Sequence, residues 1–156
     1  MKVGELAPLF SLRSDEDTKI ELSDLKGKNV VLYFYPKDDT PGCTIEAQDF
    51  TKKISEFEKL NCLVLGVSKD GVASHCSFVE KYNLAFNLLA DESGETCKAY
   101  DVLREKSMFG KKYLGIDRST FLINKLGKIS NIWRSVSVKG HVEEVLIALG
   151  ELERKN

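Results

Sequence analysis

The sequence of 156 residues contains no Cys-x-x-Cys pair, only two histidines, three prolines and one tryptophan, and no long apolar run. Without paired cysteines, direct dithiol exchange within one motif is excluded. The four cysteines, Cys43, Cys62, Cys76 and Cys97, lack the spacing of a zinc ribbon. Neither His75 nor His141 forms a ligand cluster with them, so no metal centre is expected. The longest unbroken apolar stretch, residues 30–35, falls far short of the about 20 residues needed to span a bilayer. The opening MKVGELAPLFSLRSDEDTK has no sustained apolar core. No secretory signal is expected, and the expected location is cytoplasmic, where thiols stay reduced. The formal net charge is −1, with both signs mixed along the chain. No basic stripe argues for nucleic acid and no acidic tail for a polycation. Repeats, low-complexity tracts and linkers are also missing, so one domain over residues 1–156 is expected. A chain this long buries about 70% of its unfolded surface and needs no disulfide or metal for stability.

What is present is a clear order of elements. Short apolar patches around a polar turn in residues 1–28 suggest a hairpin or irregular lead-in, then a turn of helix at 23–26. NVVLYFY at 29–35 reads as a central strand, apolar on both faces. From 44 to 59, Ala47, Phe50, Ile54 and Phe57 fall on one helical face. Residues 62–67 form a second buried strand. Residues 71–83 return to helical spacing, with Val72, Cys76, Val79 and Tyr82 on one side. A short extended piece at 88–90 and a short helix at 93–100 follow. Residues 120–123 and 128–133 flank NKLG, a hairpin signal. A last helix over 139–149 turns Val142, Val145, Leu146 and Leu149 inward, with Gly150 suited to its C-cap. The expected fold class is α/β: a central mixed sheet flanked by helices, with an N-terminal hairpin extension.

Cys43 stands out. Thr40, Pro41 and Gly42 put it at the junction of the buried strand and the next helix. The helix dipole and the free N–H groups of the first turn stabilise an anion there. A cysteine so placed tends toward the thiolate, the nucleophilic form. The plain alternative makes Thr40 an N-cap, Pro41 a helix starter and Cys43 a small filler. That alternative explains Thr40 and Pro41 but not a reactive side chain where its charge is best stabilised. The layout of strand, Thr-x-x-Cys and helix is that of the thioredoxin fold, with Glu46 where a second cysteine would stand.

Four segments, PKDDTPGCTIEAQDF, VLGVSKDGVASHCSFVEKY, FGKKYLGIDRSTFLIN and GHVEEVL, together resemble a peroxiredoxin of the bacterioferritin comigratory protein, or PrxQ, subgroup. The resemblance spans nearly the whole chain and is carried by Pro36-x-x-x-Thr40-x-x-Cys43 and by RSTF at 118–121. It implies a thioredoxin-like fold and a thiol-dependent peroxidase. Cys43 is then the peroxidatic thiolate, which becomes a sulfenic acid as water or an alcohol leaves. Thr40 holds the peroxide, Arg118 donates hydrogen bonds to its oxygens, and Pro36 shields the pocket from water. Fixed guanidinium donors suit the charge that develops on the leaving oxygen. The resemblance selects Arg118 over Arg134. Glu46, one turn past Cys43, either orients Arg118 by an ion pair or is simply a carboxylate favoured near a helix start.

The sequence departs from the family at one point. Many members carry a resolving cysteine five residues after the peroxidatic one, and Gln48 stands there. In other members the resolving thiol lies on the next helix, which makes Cys76 the candidate. The plain alternative keeps Cys76 as a small residue on an apolar stripe. Cys62 and Cys97 read as packing residues, and both histidines as surface or capping residues. No cofactor beyond the thiol is expected. Expected partners are a hydroperoxide and a thioredoxin or glutaredoxin-like reductant, and the chain is expected to be a monomer. The rival readings are a one-cysteine enzyme reduced directly by an external thiol, a redox sensor or chaperone, and an inert structural domain.

Overall fold

The computed structural model describes residues 1–155. Its centre is strand β3 (Asn29–Phe34), every residue of which is buried. Apolar side chains on both of its faces demand cover on both sides. Val31, Tyr33 and Tyr35 enter one core with α1 (Pro41–Lys52), α2 (Ile54–Lys59), α3 (Val72–Tyr82) and α5 (His141–Arg154). Val30, Leu32 and Phe34 enter a second core with Phe10, Leu22, Tyr100 and Phe121. Cutting Phe34 to alanine would cost about 3–5 kcal/mol, the usual toll of a large core cavity.

Around β3 the main sheet runs β2 (Lys19–Glu21), β1 (Ser11–Ser14), β5 (Asn87–Ala90), β4 (Cys62–Ser68), β3, β8 (Ser119–Ile123), β9 (Ile129–Trp133). β3, β4 and β5 are parallel, while β8 pairs antiparallel with β3 and β9 with β8. The N-terminal hairpin of β1 and β2 is part of this sheet, joined antiparallel to β5. A 3-10 turn covers Leu22–Leu25 and a short helix α4 covers Glu95–Ala99. The expected mixed sheet flanked by helices is present.

Several local expectations change. The helix expected over 44–59 is two helices, broken at Lys53, because the apolar spacing continues in phase across the break. α3 turns His75 and Phe78 inward rather than Val72 and Cys76. α5 runs through Gly150 and ends at Arg154, with Lys155 as its C-cap. Residues 103–116, to which sequence periodicity gave no element, form a separate hairpin, β6 (Leu103–Met108) and β7 (Lys111–Ile116). Its turn has positive φ at both Phe109 and Gly110, as a two-residue primed turn requires. Phe109 is 99% exposed at the tip, and Met108 and Leu114 are also exposed, on opposite faces of the hairpin.

Candidate active site

The site forms where β3 ends. The strand register pairs Phe34 with Ser119, which brings Arg118, one residue earlier, beside the chain leaving β3. That chain turns through residues 36–40 into α1, whose N-cap is Thr40. Thr40 is extended (φ −99°, ψ 155°), and its hydroxyl donates to the Lys37 carbonyl at 2.8 Å rather than capping the helix. Pro36, the first residue of this loop, is exposed.

Cys43 lies in the first turn of α1 and is buried. Arg118 Nη2 donates to Cys43 Sγ at 3.4 Å, and Nη1 donates to Glu46 Oε1 at 2.6 Å. One guanidinium thus spans the thiol and a carboxylate from the same helix face, residues i and i+3. Gly42 makes room for it: a Cβ there would lie 3.3 Å from Arg118 Nη2. Glu46 is fully buried, and burial pushes its carboxyl up to about 7 against the opposing pull of Arg118. Burial wins because Oε2 has no hydrogen-bond partner, so only half of the carboxylate is compensated. Arg134 points elsewhere: it donates to the Tyr100 and Asp101 carbonyls and stacks over Phe121 in the opposite core.

Cys76 is half-buried on α3 and stands apart from this group. Its thiol lies 3.7 Å from Glu80 Oε1, whose negative charge raises the thiol's pKa. It lines a cleft of about 480 Å³ with Asp15, Glu16, Glu80 and Phe86. Cys62 and Cys97 are buried, and burial pushes Cys62 up to about 12 and Cys97 higher still. All four cysteines are free thiols. The structure therefore gathers Thr40, Cys43, Glu46 and Arg118 into one site and leaves Cys76 outside it.

Both histidines are buried, not surface or capping residues as the sequence suggested. His141 Nε2 faces Thr120 Oγ1 at 2.7 Å, and burial lowers its pKa to about 4, with the Arg118 charge adding to the effect. His75 faces Asp38 in the loop before Thr40, a contact that no sequence spacing announced.

A thiol held against a guanidinium at a helix N-terminus is the arrangement that stabilises a reactive thiolate. Comparison with known proteins agrees. The AhpC/TSA family model matches residues 3–132. The chain belongs to the AhpC/TSA family, as a peroxiredoxin of the Bcp (PrxQ) type. Peroxiredoxin Bcp of Bacillus subtilis is 47% identical over 155 residues, 99% of each chain. The Xanthomonas campestris bacterioferritin comigratory protein, solved to explain its alkyl peroxide reduction, superposes with a TM-score of 0.88 at 44% identity over 92% of each chain. A Xylella fastidiosa PrxQ variant superposes with a TM-score of 0.91 at 42% identity, over 97% of this chain and 96% of its own. This peroxiredoxin has the thioredoxin-like fold of those neighbours. Its activity is thiol-dependent peroxide reduction, with a peroxide as substrate and a thiol as reductant.

Proposed function

We propose that Cys43 is the peroxidatic residue and that Arg118, Thr40, Pro36 and Glu46 serve it. The observation that carries this reading is the Arg118 fork, held by Glu46 and aimed at the Cys43 sulfur. The thiolate attacks the terminal oxygen of a hydroperoxide. The sulfur–oxygen bond forms as the oxygen–oxygen bond breaks, giving Cys43 sulfenic acid and an alkoxide or hydroxide that takes up a proton. Arg118 stabilises the negative charge passing from sulfur to the leaving oxygen. Thr40 spends its own proton on the Lys37 carbonyl, so its lone pairs are free to accept the peroxide O–H. Pro36 offers no N–H to water and crowds the rim of the loop.

Cys76 then acts as the resolving thiol. Its sulfur displaces water from the sulfenic acid and forms a Cys43–Cys76 disulfide. A dithiol protein such as thioredoxin or a glutaredoxin-like protein supplies the two electrons that reopen it. The substrates are hydrogen peroxide and small organic hydroperoxides, in keeping with the alkyl peroxide activity of the Xanthomonas neighbour. Residues 1–156 work as one domain and as a monomer, in the cytoplasm. No helix among the described residues is long and apolar enough to cross a membrane. The test is a thioredoxin-coupled peroxide assay of Cys43→Ser. Activity should fall below a few per cent of wild type with the fold intact by circular dichroism. Substantial retained activity would overturn the assignment.

A further inference from the structure

His75 and Cys76 are neighbours on α3 with opposite surroundings. His75 is fully buried, and its side chain meets Asp38, itself 4% exposed, with Nδ1 2.7 Å from Oδ2. Its other nitrogen, Nε2, is 2.9 Å from the Leu89 carbonyl. A carbonyl only accepts, so Nε2 carries a proton. Nδ1 faces a carboxylate oxygen, so a second proton must lie between them. Asp38 is also gripped by the Tyr35 hydroxyl at 2.6 Å and the Ser74 hydroxyl at 2.8 Å. The Tyr35 hydroxyl also lies 3.4 Å from His75 Nδ1. The Asp38 backbone N–H donates to Asp70 Oδ2 at 2.9 Å. The four contacts to Asp38 fix the loop two residues before Thr40. Outside them, Asp39 accepts from Lys81 and Tyr82 at 2.7 and 2.6 Å on the exposed side of α3.

Cys76 lies beside Glu80 and opens on the cleft, outside the Cys43–Arg118 group. A disulfide needs the sulfurs at about 2.05 Å and the Cα atoms within about 7 Å. Cys43 meanwhile is buried against Arg118. Unwinding the start of α3 would free Cys76 to reach the buried Cys43 sulfur. Unwinding there draws His75 out of the core and leaves Asp38 buried without its His75 partner. We propose that the Asp38–His75 pair is a latch that ties α3 to the Thr40 loop, and that its release sets how fast Cys76 reaches the Cys43 sulfenic acid. The inference rests on the reading of Cys76 as the resolving thiol. Unwinding also separates Cys76 from Glu80, an i,i+4 pair that exists only while the helix is formed. The thiol then loses the carboxylate that opposes its ionisation. His75 is thus a positioning residue: intact, the pair favours the peroxide-reactive form, and released, it favours disulfide formation.

The test is quench-flow measurement of disulfide formation after one equivalent of hydrogen peroxide. Asp38→Asn keeps the shape and can still donate to His75 Nδ1, but removes the charge. It should speed Cys43–Cys76 bond formation about tenfold without speeding the peroxide step. The fraction of Cys43 over-oxidised to sulfinic acid at high peroxide should fall in step. Amide hydrogen exchange over 72–78 in the reduced protein should rise. Ser74→Ala, at an exposed position, removes only one donor and should give about a threefold gain. Val145→Ala, destabilising from the core side of α5, should leave the rate within about twofold, which separates the latch from general loosening. If Asp38→Asn and Ser74→Ala both resolve at the wild-type rate or slower, the latch is overturned while the role of Cys76 stands. If wild type forms no Cys43–Cys76 bond, or Cys76→Ser recycles normally, the resolving role falls and the latch falls with it.

Discussion

Arg118 carries two obligations at once, to Cys43 at 3.4 Å and to Glu46 at 2.6 Å. A lysine keeps the charge but is a single point donor and cannot bridge both. Arg118→Lys is expected to lower kcat/KM for peroxide by about 100-fold, the scale seen when one fixed donor to a developing charge is lost. Steady-state kinetics checks this, and near-wild-type turnover would move the role to another residue. Glu46 adds a pH dependence. Its carboxyl titrates near 7 in the folded protein against 4.5 unperturbed. The folded state therefore binds more protons than the unfolded chain between those values, and this group's contribution to stability falls as pH rises through that window. Glu46→Gln should flatten the loss of unfolding free energy between pH 5 and 8, measured by urea titration at each pH. The same variant frees the anchor of the guanidinium and should slow the peroxide step about tenfold. The Thr40, Cys43 and Arg118 positions could be named from short motifs because motif residues keep a fixed spacing. The pairing of Arg118 with Glu46 was left open, since two residues 72 apart in sequence meet only through the β3–β8 register.

Elements were legible where their periodicity was strong. β3, β4, β8 and β9 follow directly from apolar runs and from the NKLG turn. Helix α3 shows the limit: Val79 and Tyr82 of the expected stripe pack against the core, but its fully buried positions are His75 and Phe78, because a buried histidine counts as polar in a sequence pattern. Reading His75 as surface hides the buried His75–Asp38 contact that joins α3 to the loop before Thr40. The β6–β7 hairpin was invisible because its strands carry little apolar alternation and its turn holds Phe109 where Asn or Gly is usual. Gly150 misled for the opposite reason, as a C-cap signal inside a helix that continues. No atom outside its own helix lies within 4 Å of where its Cβ would go. Gly150→Ala should therefore stabilise the protein by about 0.5–1 kcal/mol, through helix propensity and a less flexible unfolded chain. Thermal unfolding reads this directly, and a destabilised variant would show that the α5 backbone needs glycine there.

At the scale of the molecule, the sheet sorts the chemistry. One face carries α1, α3 and α5 and gathers Cys43, His75 and His141, whereas Arg134 and Cys97 belong to the other. Three thiols are thereby separated by environment: Cys43 against a cation, Cys76 against an anion, Cys62 sealed in the core. Whole-chain resemblance made the family readable before any coordinate, yet the partition of the thiols is a product of packing. The most direct measurement is non-reducing peptide mapping by mass spectrometry after one equivalent of hydrogen peroxide. The expected result is a single cross-link between the peptides that carry Cys43 and Cys76, with Cys62 and Cys97 unmodified. An unmodified Cys43 with oxidation on any other thiol would contradict the assignment of Cys43 as the residue that meets the peroxide.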